Sequence, residues 1–285
     1  MPEIVATSPF PNRKAFEAYA QQYSLLLPER QSAARAGDIS GRRTGSSIEY
    51  QDRKDYVPGD DLRHIDWRAY ARNDRLTIKL YREEISPRVD IIVDASLSMS
   101  VTEEKRQRRL ELAYLFALLG RKLQGQTRLY HLGKNLQPFH DPLHLLAVKD
   151  GRQDTPLPLL QASPLIRQGG IKIFISDFLF PFAPHDLIGL FSGADRILFI
   201  QVLSAFEDTP APGGSIRLED AENGQYMDVQ LNPATVSGYL ARLNQLREDM
   251  ERLLRVRGGA FACIRDDHDP AQMMTRLLEG AAVGV

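Results

Sequence analysis

The chain has 285 residues, 43% of them hydrophobic and 26% charged, with a net charge of −1. That length suits one large α/β domain with an extension, or two modest domains. The near-neutral balance gives no bulk electrostatic reason to expect nucleic acid or an anionic membrane surface. A single cysteine, Cys263, excludes an internal disulfide and a cysteine-based zinc site; its apolar neighbours predict a buried, unreactive thiol. Residues 1–16 carry Pro2, Pro9 and Pro11 without a continuous apolar core, unlike a secretory signal. No run approaches the roughly 20 apolar residues that span a bilayer. The expectation is a soluble, cytoplasmic protein.

In chain order, Arg13 to Leu27 is partly amphipathic and stops at Pro28, which predicts a helical lead-in. Residues 41–88 are dense in charge of both signs and hold the only tryptophan, Trp67. Val57-Pro58-Gly59-Asp60 is a turn signal, after which Asp60 or Asp61 caps a short helix. Leu62, Ile65, Ala69 and Tyr70 give that helix one apolar face. Leu76, Ile78 and Leu80 then alternate with polar residues, as in a half-buried strand. From Val89 onward strands and helices alternate. Strands are expected at 89–94, 127–132, 171–175, 197–203 and 260–264. Helices are expected at about 103–124, 156–168, 184–191 and 233–257, and from Pro270. Asn223-Gly224 signals a hairpin. Such alternation predicts a doubly wound, mostly parallel α/β sheet with helices on both faces, over residues 87–285. Residues 1–86 are the charged N-terminal extension.

The chemistry lies in Asp94-Ala95-Ser96-Leu97-Ser98, directly after the β-branched run at 89–93. Three oxygen-bearing side chains at alternate positions can turn toward one point at the strand's carboxyl end, where open α/β sheets place ligands. A hard divalent cation is the natural occupant of such a set. By itself the cluster is also what a cap for the next helix looks like. Two features favour the metal reading. Ile173-Phe174-Ile175-Ser176-Asp177 is a second buried strand ending in a carboxylate, and Asp154-Thr155-Pro156 puts a hydroxyl just before a predicted helix.

With these residues in view, the chain resembles the von Willebrand factor A fold and its metal-ion-dependent adhesion site. The resemblance implies Mg²⁺ or Mn²⁺ held by Asp94, Ser96, Ser98, Thr155 and Asp177. Phe178 stands where many relatives have glycine, and Arg152-Gln153 replaces a common Gly-Gly. The preceding block narrows the resemblance. Arg53, Tyr56, Pro58-Gly59-Asp60-Asp61, Arg63, Ile65-Asp66-Trp67 and Ala71-Arg72 look like the hallmark of the DUF58 proteins. That resemblance implies a binding module, not an enzyme, working with a MoxR-type AAA+ ATPase on a client protein. An acidic residue of a partner would complete the metal shell.

Other readings remain open. Asp94 as a phosphatase nucleophile lacks the usual second carboxylate, because Ser96 stands there. His140 and His144 have zinc-like spacing, but Pro142 with Asp141 as cap starts a helix between them. The charged block at 52–75 supplies either structural ion pairs or a metal-independent scaffold surface, with Trp67 as a packing anchor. Arg42-Arg43 is too short for a nucleic-acid patch. Leu240, Leu243, Leu246 and Leu253 mark the core side of the long helix.

Overall fold

A computed structural model describes residues 10–27, 47–84, 88–142, 155–221 and 224–285, with side chains described outside 47–52 and 80–84. The chain divides into two compact units, one of Met1–Leu26 with Pro87–Val285 and one of Leu27–Ser86.

The larger unit is mixed α/β. Its sheet has six strands: β4 (Val89–Asp94), β5 (Thr127–Leu132), β6 (Leu136–Phe139), β7 (Ile171–Ser176), β8 (Arg196–Leu203) and β11 (Ala260–Arg265). They lie in the order β11-β8-β7-β4-β5-β6. Every neighbouring pair is parallel except β5 and β6. Residues of β4, β7 and β8 are buried throughout, so these strands are largely apolar on both faces, with Asp90, Lys172 and Gln201 among the buried exceptions. The antiparallel edge strand β6 is too short, and interrupted by Pro138, to carry a strand signal.

Two hydrophobic clusters form from alternate strand residues. Ile91, Val93, Ile173 and Ile200 pack with Phe16 of α1 (Arg13–Gln22), Leu112 and Phe116 of α3 (Glu103–Lys122) and Met273 of α8 (Pro270–Glu279). Ile92, Phe174 and Phe199 pack with Leu160 of α4 (Leu157–Ala162), Leu187 of α5 (Pro184–Leu190), and Met250 and Leu254 of α7 (Pro233–Val256). Leu243 of α7 is buried too, as expected for its core side.

The first helix groups with the α/β unit because its apolar side, Phe16 and Ala20, needs a core to cover it. Asn12 Nδ2 donates to Glu111 Oε1 at 2.8 Å, and Tyr114 donates to Glu17 at 2.9 Å. Strand β1 (Ser24–Leu25) then pairs with β12 (Val283–Gly284). The helix predicted over 156–168 ends at Ala162, since Pro164 disfavours helical backbone at Ser163, which is extended. The expected hairpin comprises β9 (Gly214–Glu219) and β10 (Tyr226–Leu231); Glu222 and Asn223 lie outside the described residues.

The smaller unit holds an antiparallel pair, β2 (Ser47–Asp55) with β3 (Thr77–Glu84), whose register shifts between Tyr50 and Asp52. The single helix expected after residue 60 is two pieces. Asp61 caps a 3₁₀ turn at Leu62–His64, and Asp66 caps α2 (Trp67–Asn73) through the amides of Arg68 and Ala69. Two cap residues five apart start two helices, and Ile65 between them is extended.

Candidate functional site

Strand order reverses between β4 and β7: the chain travels one way through β4, β5 and β6 and the other way through β7, β8 and β11. At such a reversal the loops at the carboxyl ends diverge and leave a crevice. Asp94 ends β4, and Asp177 directly follows β7.

Asp94 is 1% exposed and folds back on its own loop, Oδ1 accepting from the Ser96 amide at 3.0 Å. Its Oδ2 accepts from the Ser176 hydroxyl at 2.6 Å. The hydroxyls of Ser96 and Ser98 lie 2.9 Å apart, Ser98 being in a 3₁₀ turn, Leu97–Ser100. Burial, and then the neighbouring negative charge of Asp177, push the Asp94 carboxyl up to about 6. Asp177 thus lies near enough for its charge to act on Asp94.

Asp177 is also 1% exposed, and its Oδ1 accepts from the Leu179 amide at 3.1 Å. Its Oδ2 accepts from the ammonium of Lys105, a fully buried residue, at 3.1 Å. The same ammonium donates to both oxygens of Glu207, at 2.8 and 2.9 Å. Glu207 lies in α6 (Ala205–Asp208), where its carboxylate also closes a capping box with Ser204. Lys105 is the third residue of α3, the end of a helix dipole where a cation is disfavoured by about 0.3–1 kcal/mol. The two carboxylates offset that. Beyond Asp177, its carbonyl accepts from Gln201 Nε2 at 2.8 Å, and Gln201 Oε1 accepts from Arg247 at 2.9 Å.

The structure brings Asp94, Ser96, Ser98 and Asp177, all expected from the sequence, near one another, and adds Ser176, Lys105 and Glu207 to their surroundings. The signal for Lys105 was a cation in a helix's first turn, beside Glu103 and Glu104. Thr155, the remaining expected ligand, has its hydroxyl accepting from the Leu157 amide at 3.4 Å, at the start of its own helix. Thr155→Val is accordingly expected to leave Mg²⁺ affinity within about twofold of wild type by calorimetry, well under one charge-assisted hydrogen bond.

The donor set suits a hard cation through Asp94, Ser96 and Ser98, all oxygen ligands of one loop, with the Ser176 hydroxyl behind them. Among the described residues no group of three or more His, Cys, Asp or Glu is placed to hold a metal ion. His140 is exposed just after β6; His144, Arg152, Gln153, Asp154 and Arg42-Arg43 lie outside the described residues. Cys263 is half-buried, not enclosed by apolar groups: Arg247 reaches its sulfur at 2.9 Å, and burial pushes the thiol up to about 11.

The hallmark block closes its charges within the smaller unit. Arg53 pairs with Asp66 at 3.1 Å and Lys54 with Asp60 at 2.7 Å. Asp60 also accepts from the Val57 amide at the turn, and Lys54 holds its carboxyl below the usual range. Arg63 forks onto Asp61 and does the same. The Tyr56 amide donates to Leu76, and Arg72 donates to the Arg68 carbonyl. Trp67 is 62% exposed, against the expectation of an anchor. On α2 the inward side belongs to Ala69, and Trp67 meets the edge of Tyr70.

Fold and cluster together define an α/β domain with buried carboxylates and hydroxyls at the carboxyl edge of its central strands. The family described as "Protein of unknown function DUF58" matches residues 52–142, which supports the DUF58 resemblance over that stretch. Uncharacterized proteins of Mycobacterium bovis and Mycobacterium tuberculosis are 24% identical over 263 residues, covering 86% of this chain and 83% of theirs. A conserved hypothetical protein, BatB, from Bacteroides thetaiotaomicron matches at 12% identity and a TM-score of 0.33, over 69% of this chain and 98% of that one. An aerotolerance-related membrane protein from Bacteroides fragilis matches at 16% identity and a TM-score of 0.32, over 68% and 99%. Among the described residues of this chain, no helix is long and apolar enough to cross a membrane.

Proposed function

We propose that this protein is a metal-ion-dependent protein-binding module of doubly wound, von Willebrand factor A-like type. Asp94, Ser96 and Ser98 would hold Mg²⁺ or Mn²⁺, with Asp177 as a further acidic group. The observation that carries the reading is the convergence of Asp94, Ser96, Ser98 and Ser176 beside Asp177 at one point. Two carboxylates, one of them acting through water, and neutral hydroxyls leave a small dication under-neutralised, so its remaining coordination position favours an acidic side chain from another protein. The chemistry the ion supplies is that position. The chain's own groups shape the loop and hold its hydroxyls in place. A MoxR-type AAA+ ATPase and a client protein are the partners that the family resemblance suggests; the role is then that of an adaptor.

The test is calorimetric titration of Mg²⁺ into wild type and Asp94→Ala. The expected result is saturable binding that Asp94→Ala abolishes while circular dichroism stays unchanged. Equal affinity in both proteins defeats the proposal.

One observation favours a second reading, a metal-independent scaffold working through the charged block at 52–75. Lys105 already supplies a cation to Asp177 and Glu207. Partner binding that persists in EDTA would select this reading over the first.

A further inference from the structure

At the opposite end of β4 from Asp94 lies a second charged cluster. Asp90, Arg128 and Lys172 form one row across β5, β4 and β7, each in register with Asp90, and Arg88 stands two residues before Asp90 on the same side. Asp90 and Lys172 are fully buried. Asp90 Oδ2 accepts from Lys172 Nζ and from Arg88 Nε, the latter at 3.1 Å, while Oδ1 accepts from Arg128 Nε at 3.1 Å. Among the described residues, three cations thus pair with one carboxylate, an excess of two positive charges.

Each arginine meets Asp90 through Nε, which leaves its two terminal nitrogens for other partners. One of these, on Arg88, donates to the Gly169 carbonyl at 2.6 Å. The remaining one on Arg88 and both on Arg128 have no partner among the described residues. Their side chains are 25% and 39% exposed, so the donors reach solvent, whereas Lys172 beneath them does not. Tyr130 lies two residues beyond Arg128 on the same side; burial and then the charge of Asp90 push its phenol up, keeping it a neutral donor at pH 7.

We infer that Arg88 and Arg128 form a binding site for a phosphoryl dianion at the amino edge of the sheet, with Asp90 and Lys172 as its buried base. The charge count selects the ligand. Two uncompensated charges match a phosphate or phosphomonoester, which carries about −1.5 to −2 at neutral pH, better than a carboxylate. Guanidinium forks suit phosphate oxygens and are more weakly hydrated than ammonium groups, so little is lost on binding. Asp90 holds both Nε groups, which fixes the guanidinium planes in advance of the ligand.

The site is tested by titrating the protein, at constant ionic strength, with inorganic phosphate, with adenosine monophosphate and with acetate, following amide shifts by NMR. Saturable binding of inorganic phosphate or the monophosphate, and acetate at least about tenfold weaker, is expected. Tighter binding of the monophosphate assigns the source to a phosphomonoester, and tighter binding of inorganic phosphate assigns it to the free ion. Arg128→Gln, which among the described residues gives up only the side-chain contact to Asp90, should weaken phosphate by about tenfold or more, and Arg88→Gln similarly. Arg252→Gln, an exposed position on α7, should change it by less than about twofold. No saturable binding of either phosphate overturns the inference. So does acetate binding as tightly, or folded Arg128→Gln and Arg88→Gln proteins that bind like wild type.

Discussion

Lys105→Met is expected to destabilise the protein in EDTA by about 3–5 kcal/mol, read from urea denaturation midpoints. Removing one partner of a buried ion pair leaves the other charge desolvated and uncompensated, and that asymmetry exceeds the net worth of the pair. Here the ammonium serves two carboxylates, Asp177 at 2% and Glu207 at 18% side-chain exposure. Asp177 would keep only the Leu179 amide, with Asp94 still repelling it. The same substitution bears on the metal. With the internal cation gone, a divalent ion faces no competitor for Asp177, so 10 mM-scale Mg²⁺ (roughly a hundredfold over a mid-range Kd) should restore about 2–3 kcal/mol. Restoration larger than in wild type supports the metal-dependent reading. A destabilised variant that Mg²⁺ does not rescue supports Lys105 as the resident cation of a metal-independent scaffold. Unchanged stability would show that the triad compensates nothing.

Asp94→Asn should stabilise the metal-free protein at pH 7.5, on the order of 2–3 kcal/mol, while eliminating Mg²⁺ binding. The carboxyl of Asp94 titrates near 6 in the folded chain, above its ordinary value of 3.8. Between those values the folded state holds a proton that the unfolded state has released. Stability from this group is therefore fully present below about pH 4 and falls as pH rises to about 6, then stays low. An asparagine has no such charge to desolvate, so the variant's stability should be flat across that window. Metal affinity should run the opposite way in wild type. It should rise about tenfold per pH unit up to about 6 and level off above, because the cation needs the ionised carboxylate. Urea midpoints at pH 4.5 and 7.5 in EDTA, with calorimetry at the same values, check both. An Asp94→Asn protein less stable than wild type at pH 7.5 would show that the charge is held favourably and would remove the reason for a cation.

Much of the α/β unit was legible because period and burial coincide. The runs at 89–94, 171–176 and 196–203 are dominated by apolar residues on both faces, as a strand covered on both sides requires. The caps and stops were equally local: Pro270 opens α8 behind Asp269, and Gly258 follows α7. Trp67 shows the limit of such reading. Its hydrophobicity argued for burial, yet a seven-residue helix has one inward side, and Ala69 takes it.

From sequence alone came the Asp94-x-Ser-x-Ser loop, the Asp177 that follows a second buried strand, and their place at strand ends, since each depends on residues close along the chain. Tertiary structure decided which charges meet them. Lys105 reaches Asp177 across 72 positions and Glu207 across 102, and Lys172 reaches Asp90 across 82. No local periodicity encodes such partners. They are selected by the order of strands in the sheet, and the low dielectric of the interior then makes each pairing count.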